Sequence, residues 1–180
     1  MIRLWENFRN YFYKKSLLKR IQQVKAERTI TNLSNAKSIG IVYDSSNSDN
    51  DNIIIKFAEN LRNQGKTVDI LAFANDTKTE HKADVFVFNK KSLNWMLIPK
   101  NEQVGKFAEK NFDLLLAAFT EENLPLEYVA AISLAKWRLG TYAKDKTDFY
   151  DMMISLGGRN ELSYFLEQTT HFLNQVKYDS

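Results

Sequence analysis

The chain contains no cysteine, two histidines, two prolines and six glycines among 180 residues. Without cysteine there is no thiolate nucleophile, no Cys-based zinc or iron–sulfur site and no disulfide. With only His81 and His171, a histidine-rich metal site is not expected. No metal ligand set, catalytic residue or cofactor is assigned. A long hydrophobic run is also missing. The longest clean one, Leu114 to Phe119, is far short of the ~20 residues that cross a bilayer. The N-terminus is aromatic but interrupted by Arg3, Glu6, Arg9, Lys14 and Lys15, so it lacks the apolar stretch of a secretory signal. A cytoplasmic protein is expected. Few glycines also means few phosphate cradles: neither the dinucleotide fingerprint nor the P-loop occurs.

What is present is a composition of 44% hydrophobic and 26% charged residues. That suits one globular domain, which at this length buries roughly 70% of its unfolded surface. The net charge of +3 is unevenly placed. Residues 1–28 hold eight bases, Arg3, Arg9, Lys14, Lys15, Lys19, Arg20, Lys25 and Arg28, against Glu6 and Glu27, a balance of +6. The remaining 152 residues carry 17 bases and 20 acids, a balance of −3.

The companions of those bases are Leu4, Trp5, Phe8, Tyr11, Phe12 and Tyr13, then Leu17, Leu18, Ile21 and Val24, each group at helical spacing. At 100° per residue, residues 4–12 and residues 17–24 occupy roughly opposite sides, with the phase change at Tyr13 to Ser16. Either the helix breaks there, with Ser16 capping a second piece, or one continuous helix offers different faces to different surfaces. Three readings follow for this arm. It packs on its own domain with its bases in water; or it docks, with Trp5 and the bases, onto RNA, a ribosome or an acidic protein; or it lies in a membrane interface, which the split faces weaken.

Beyond a polar linker, Thr29 to Lys37, the chain alternates strands and helices over residues 38–177. Ser38 to Tyr43, Thr67 to Phe73, Asp84 to Phe88, Phe112 to Ala118 and Lys136 to Gly140 read as strands; the continuous apolarity of Phe112 to Ala118 marks a central parallel one. Helical stripes run from Ile53 to Leu61, near Asn101 to Lys110, after Pro125, and from Leu162 to Val176. Trp95 to Ile98 fits a strand or an apolar loop, and Phe149 to Leu156 is a further apolar segment. Trp95 and Trp137 are assigned to core or sheet packing. The rhythm predicts an α/β, Rossmann-like, open and mostly parallel sheet with helices on both faces, preceded by the basic helical arm.

Ile39 to Asp44, Val68 to Leu71, Phe112 to Leu116 and Ser133 to Gly140 together resemble a family of small uncharacterised proteins from Bacteroidota. The resemblance covers most of residues 1–175 and rests on fold-determining apolar runs. The section from Phe112 to Gly140 also resembles the N-terminal lobe of heptosyltransferase-like glycosyltransferases. Such enzymes use a second Rossmann-like lobe for the nucleotide-sugar, for which 180 residues leave no room.

In an open α/β sheet ligands collect outside the carboxyl ends of the strands. Those ends supply Asp44, Ser45 and Ser46; Thr120, Glu121 and Glu122; and Gly157, Gly158 and Arg159. The last group joins flexible backbone to a helix start and a guanidinium, suited to an anion or equally to a plain turn. Glu121 and Glu122 form an acid/base pair only if a pocket raises one pKa. The leading expectation is a non-enzymatic interaction module that docks through residues 1–28. The alternative is a small enzyme or degenerate transferase-like lobe holding a nucleotide or sugar-phosphate at the carboxyl edge.

Overall fold

The computed structural model describes residues 2–75 and 84–176; His81 lies outside them. The element order is α1 (Ile2–Ile21), β1 (Ser38–Asp44), α2 (Ser48–Asn63), β2 (Thr67–Ala74), β3 (Val85–Asn89), α3 (Glu102–Ala108), β4 (Leu114–Ala118), α4 (Leu124–Ile132), β5 (Arg138–Thr141), β6 (Met152–Ile154) and α5 (Leu162–Gln175). The strands form one six-stranded sheet in the order β3-β2-β1-β4-β5-β6. Every pairing in it is parallel, as the βαβα rhythm requires.

The middle of β1 and all of β4 are buried. Covering on both faces is what allows their runs to be apolar without alternation. Successive side chains then feed two separate cores. Ile39, Ile41, Leu114 and Leu116 pack with Ile54, Leu61, Phe165 and Leu173 of α2 and α5. Val42, Leu115 and Ala117 pack with Val104, Phe107, Val129 and Ala130 of α3 and α4. Gly40 is needed in β1 because a Cβ there would sit 2.7 Å from the Phe112 ring. Gly65, at φ +80°, ends α2 in the left-handed region.

Helix α1 runs through the phase change without a break. Tyr13 and Leu17, one turn apart and each 1% exposed, are held with Ile98 and Ala131 in a third, smaller core against α4. The Tyr13 hydroxyl donates to Leu124 O at 2.8 Å. The linker of residues 29–37, polar in sequence, is also fastened down. Leu33 and Ala36 are buried, Thr29 N donates to Lys136 O at 3.0 Å, and Lys66 Nζ donates to Leu33 O at 2.5 Å and Ala36 O at 2.9 Å.

The structure settles two readings that the sequence left open and corrects one, the placement of Trp95. Residues 149–156 contain a sixth strand, β6, too short for its own periodicity to reveal it. Trp95 to Ile98 is a loop closed by a bridge between Leu93 and Pro99, with Leu97 at φ +62°. Trp137 is buried as expected, whereas Trp95 is half exposed. It leaves the core because that loop carries it out against α1, where rings of Trp5, Phe8 and Phe12 lie around it.

Candidate functional site

Two regions gather the residues singled out in sequence. The first is the carboxyl edge. The chain runs outward through β1, β2 and β3, then returns to place β4 on the other side of β1. The β1/β4 boundary is therefore the switch point at which open α/β sheets form a crevice. A cavity of about 280 Å³ lies there, lined by Asp44, Ser46, Asn47, Asn50, Thr120, Glu121 and Asn160 among others.

Most polar groups at this edge already have partners within the fold. The Asp44 carboxylate accepts from Ser46 N at 2.8 Å and from Asn123 Nδ2 at 2.8 Å. Ser45 donates to Asp51 at 2.7 Å, as does Tyr43. Burial raises the Tyr43 phenol, and the hydrogen bond to Asp51 adds to the shift. Ser46 Oγ accepts from Asn75 N at 3.0 Å, and Thr120 donates to Asn160 O at 2.6 Å. Asn47 caps α2, whose first turn already carries Asp49 and Asp51, so the positive end of that dipole faces carboxylates. Glu121 and Glu122 are exposed.

Gly157 and Gly158 form an exposed turn at φ +58° and +89°. Arg159 lies over the ring of Tyr164 at 4.7 Å, a cation–π contact on the following helix. His171 is exposed on α5, beside Phe172 and Gln175. One chemical pair at this edge is not visible in the sequence: Lys146 Nζ donates to the buried Glu127 carboxylate at 2.5 Å. Burial raises Glu127 and the lysine opposes that rise. The two lie nineteen residues apart on separate elements, so no local motif joins them.

The second region is the basic segment of residues 1–28, α1 and the stretch that follows it. Its bases separate into distinct groups. Arg28 is turned into the body, donating to Ala135 O, and to Ser133 O at 3.1 Å. Burial, followed by the nearby Arg138, lowers its pKa, with Asp151 opposing. Arg20 and Lys25 line a cavity between the end of α1 and α3, and Arg9 has its Nε buried without an acceptor among the described residues. Arg3, Lys14, Lys15 and Lys19 face outward; Lys14 reaches Asp145 only at 3.7 Å, with both side chains two-thirds exposed.

Beside those outward bases lie Leu4, Trp5, Phe8, Tyr11 and Leu18, which are 74%, 58%, 49%, 60% and 48% exposed. Trp5 stacks on Phe8 at 5.9 Å and 25°, Phe8 stacks on Trp95 at 6.2 Å and 25°, and Phe12 meets Phe8 at 4.6 Å. The sequence marks Trp5 and the bases. It does not mark Trp95, whose contact with α1 depends on a loop some ninety residues away.

Fold and surface together define an all-parallel, switch-point α/β domain carrying an external basic and aromatic helix. The chain belongs to a family of unknown function (DUF6913), whose profile it matches over residues 9–176. No curated protein matches it. Among solved structures it is similar to E. coli heptosyltransferase WaaC with ADP-2-deoxy-2-fluoro heptose, at 16% identity and a TM-score of 0.40, over 76% of this chain and 47% of that one. The chain thus spans about half the length of that enzyme, and a likeness at this level carries no argument about activity. No described helix is long and apolar enough to cross a membrane.

Proposed function

We propose that this protein is a non-enzymatic interaction module that docks through α1 onto an acidic macromolecular partner. The observation that supports the reading is the outward surface of α1: four apolar side chains, Leu4, Phe8, Tyr11 and Leu18, each about half exposed or more, set among Arg3, Lys14, Lys15 and Lys19. Contiguous exposed apolar surface rimmed by charge marks an interaction site. The helix is already formed and fixed by Tyr13 and Leu17, so docking orders little additional chain. Surface cations give such an association speed and salt sensitivity more than raw affinity.

The test is capture on the full-length chain. The retained partner set should be lost at high ionic strength and equally in a Lys15→Glu, Lys19→Glu variant that melts like the parent. A partner set unchanged by both treatments overturns the proposal.

A second reading has one observation in its favour, the position of the 280 Å³ cavity at the switch point. It is the small enzyme or transferase-like lobe that holds a nucleotide or sugar-phosphate. Among the described residues Asp44 and Glu121 line that cavity and no Lys or Arg does, which works against a phosphate. A rise in melting temperature with a nucleotide or sugar nucleotide would restore this reading; silence across such a panel would remove it.

A further inference from the structure

The exposed positions of α1 have a spacing that narrows the partner class. Leu4, Phe8, Tyr11, Lys15 and Leu18 follow one another at intervals of four, three, four and three. At 100° per residue they fall within an arc of about 80°. That is a heptad seam, the pattern by which one helix receives another. Tyr13, Leu17 and Ile21, which face the body, lie on the far side of the helix. Arg3 and Lys14 flank the seam on one side, Lys19 on the other, and beyond Lys19 the rings of Trp5, Phe12 and Trp95 form a wall.

Three other occupants fit less well. A single-stranded nucleic acid needs free ring faces for its bases, but Trp5, Phe8 and Trp95 stack on one another. An interfacial helix sinks an apolar face into lipid, and Lys15 sits in the middle of this one, whereas a helix–helix seam accommodates one lysine and uses it to fix register. A second copy of the chain would set the same outward bases against each other.

We propose that α1 receives an acidic amphipathic helix of a partner protein, with apolar residues at heptad spacing and carboxylates along both flanks. This rests on the docking reading above and deepens it. The lysines meet the flanking carboxylates, Lys15 reaching out from the seam itself, and Leu4, Phe8, Tyr11 and Leu18 enter the partner's apolar stripe.

The full-length chain is titrated with four probes: a three-heptad helix with Leu along its seam and Glu on both flanks; the same helix with Lys on the flanks; a uridine-rich RNA; and phosphatidylcholine vesicles with roughly one third phosphatidylglycerol, a choice that supplies anionic surface. Fluorescence of Trp5 and Trp95 reports binding, and sedimentation reports the size of the chain alone. The acidic helix should bind at least about tenfold more tightly than each other probe, and Leu4→Ser with Leu18→Ser should weaken it by about tenfold at an unchanged melting temperature. Equal binding of the two helices, or RNA or vesicles binding as well as the acidic helix, overturns the helical partner. RNA binding would still leave the docking reading standing, whereas vesicle binding would replace it with the membrane reading. No binding by any anionic probe overturns both. A dimer of the free chain that the same two substitutions dissolve shows that a second copy fills the seam, and also overturns the proposal.

Discussion

The carboxyl-edge cleft and the outward face of α1 use their side chains in opposite ways. At the cleft, Asp44, Ser45, Ser46 and Thr120 each bond to a neighbour within 3.0 Å, so the groups that fold topology offers to a ligand already serve the fold. On α1, Leu4 and Lys15 have a place on the surface with no such assignment, and among the described residues the outward bases make one ion pair, the loose one from Lys14. A topological crevice supplies position, but a binding surface also needs groups whose interactions are incomplete in the free protein. By that measure α1 is the better candidate, although the general rule for α/β sheets points to the cleft.

The largest effect that tests this contrast lies inside α1. Leu17→Ala removes a side chain 1% exposed and should cost about 2–5 kcal/mol in urea unfolding. A near-neutral result would show that the helix is not fixed on the body, and the assignment of its outward face would lose its basis.

Next comes the cleft. Asp44→Ala deprives Ser46 N and the buried Asn123 side chain of their acceptor, and should lower stability by about 1–3 kcal/mol with no ligand present. A fully stable Asp44→Ala protein would show that the aspartate is held for something other than the fold, and would return the cleft to first place.

The opposite, amino edge gives a third reference. Burial alone would raise the Asp113 pKa, but Lys136 and the N–H groups of Ser38 and Lys37 outweigh it and hold the carboxyl at about 2. A carboxylate depressed in the folded state contributes stability that is complete above its unfolded pKa, near 4, and is lost as pH falls through about 2. After allowance for solvent screening the loss is about 1–2 kcal/mol. Acid unfolding between roughly pH 4 and 2 should therefore be shallower in Asp113→Asn; an unchanged curve would mean that the clip does not contribute.

The smallest effect is the most discriminating. Leu4→Ser, at a position 74% exposed, should change stability by less than about 0.5 kcal/mol while weakening association. A destabilisation similar to that of Leu17→Ala would erase the difference between the two faces of α1.

The strands β1, β2 and β4 were legible because burial on both sides demands uninterrupted apolar runs, and α5 because its stripe from Leu162 to Leu173 keeps helical period. The edge strand β6 has three residues, too few to show any period. The cleft's location followed from the fold class. Its internal bonding did not, since Asp44 and Asn123 are seventy-nine residues apart and nothing local links them. Trp95 was misplaced for the same reason: an apolar side chain in sequence carries no mark of whether a loop will leave it at the surface.

The sequence alone determined the class of sheet, the positive balance of the first 28 residues and the presence of two apolar stripes on the N-terminal helix. The tertiary structure decided which side is covered, and it parted Leu18 from Leu17, with which the sequence had grouped it. Tyr13 and Leu17 are buried because Ile98 and Ala131 meet them, while Leu4, Tyr11 and Leu18, no less apolar, lie outside that core and stay about half exposed or more, and Phe8 is covered only in part, by Trp95. Burial belongs to a pair of surfaces and depends on their fit, so a list of residues along one helix cannot contain it.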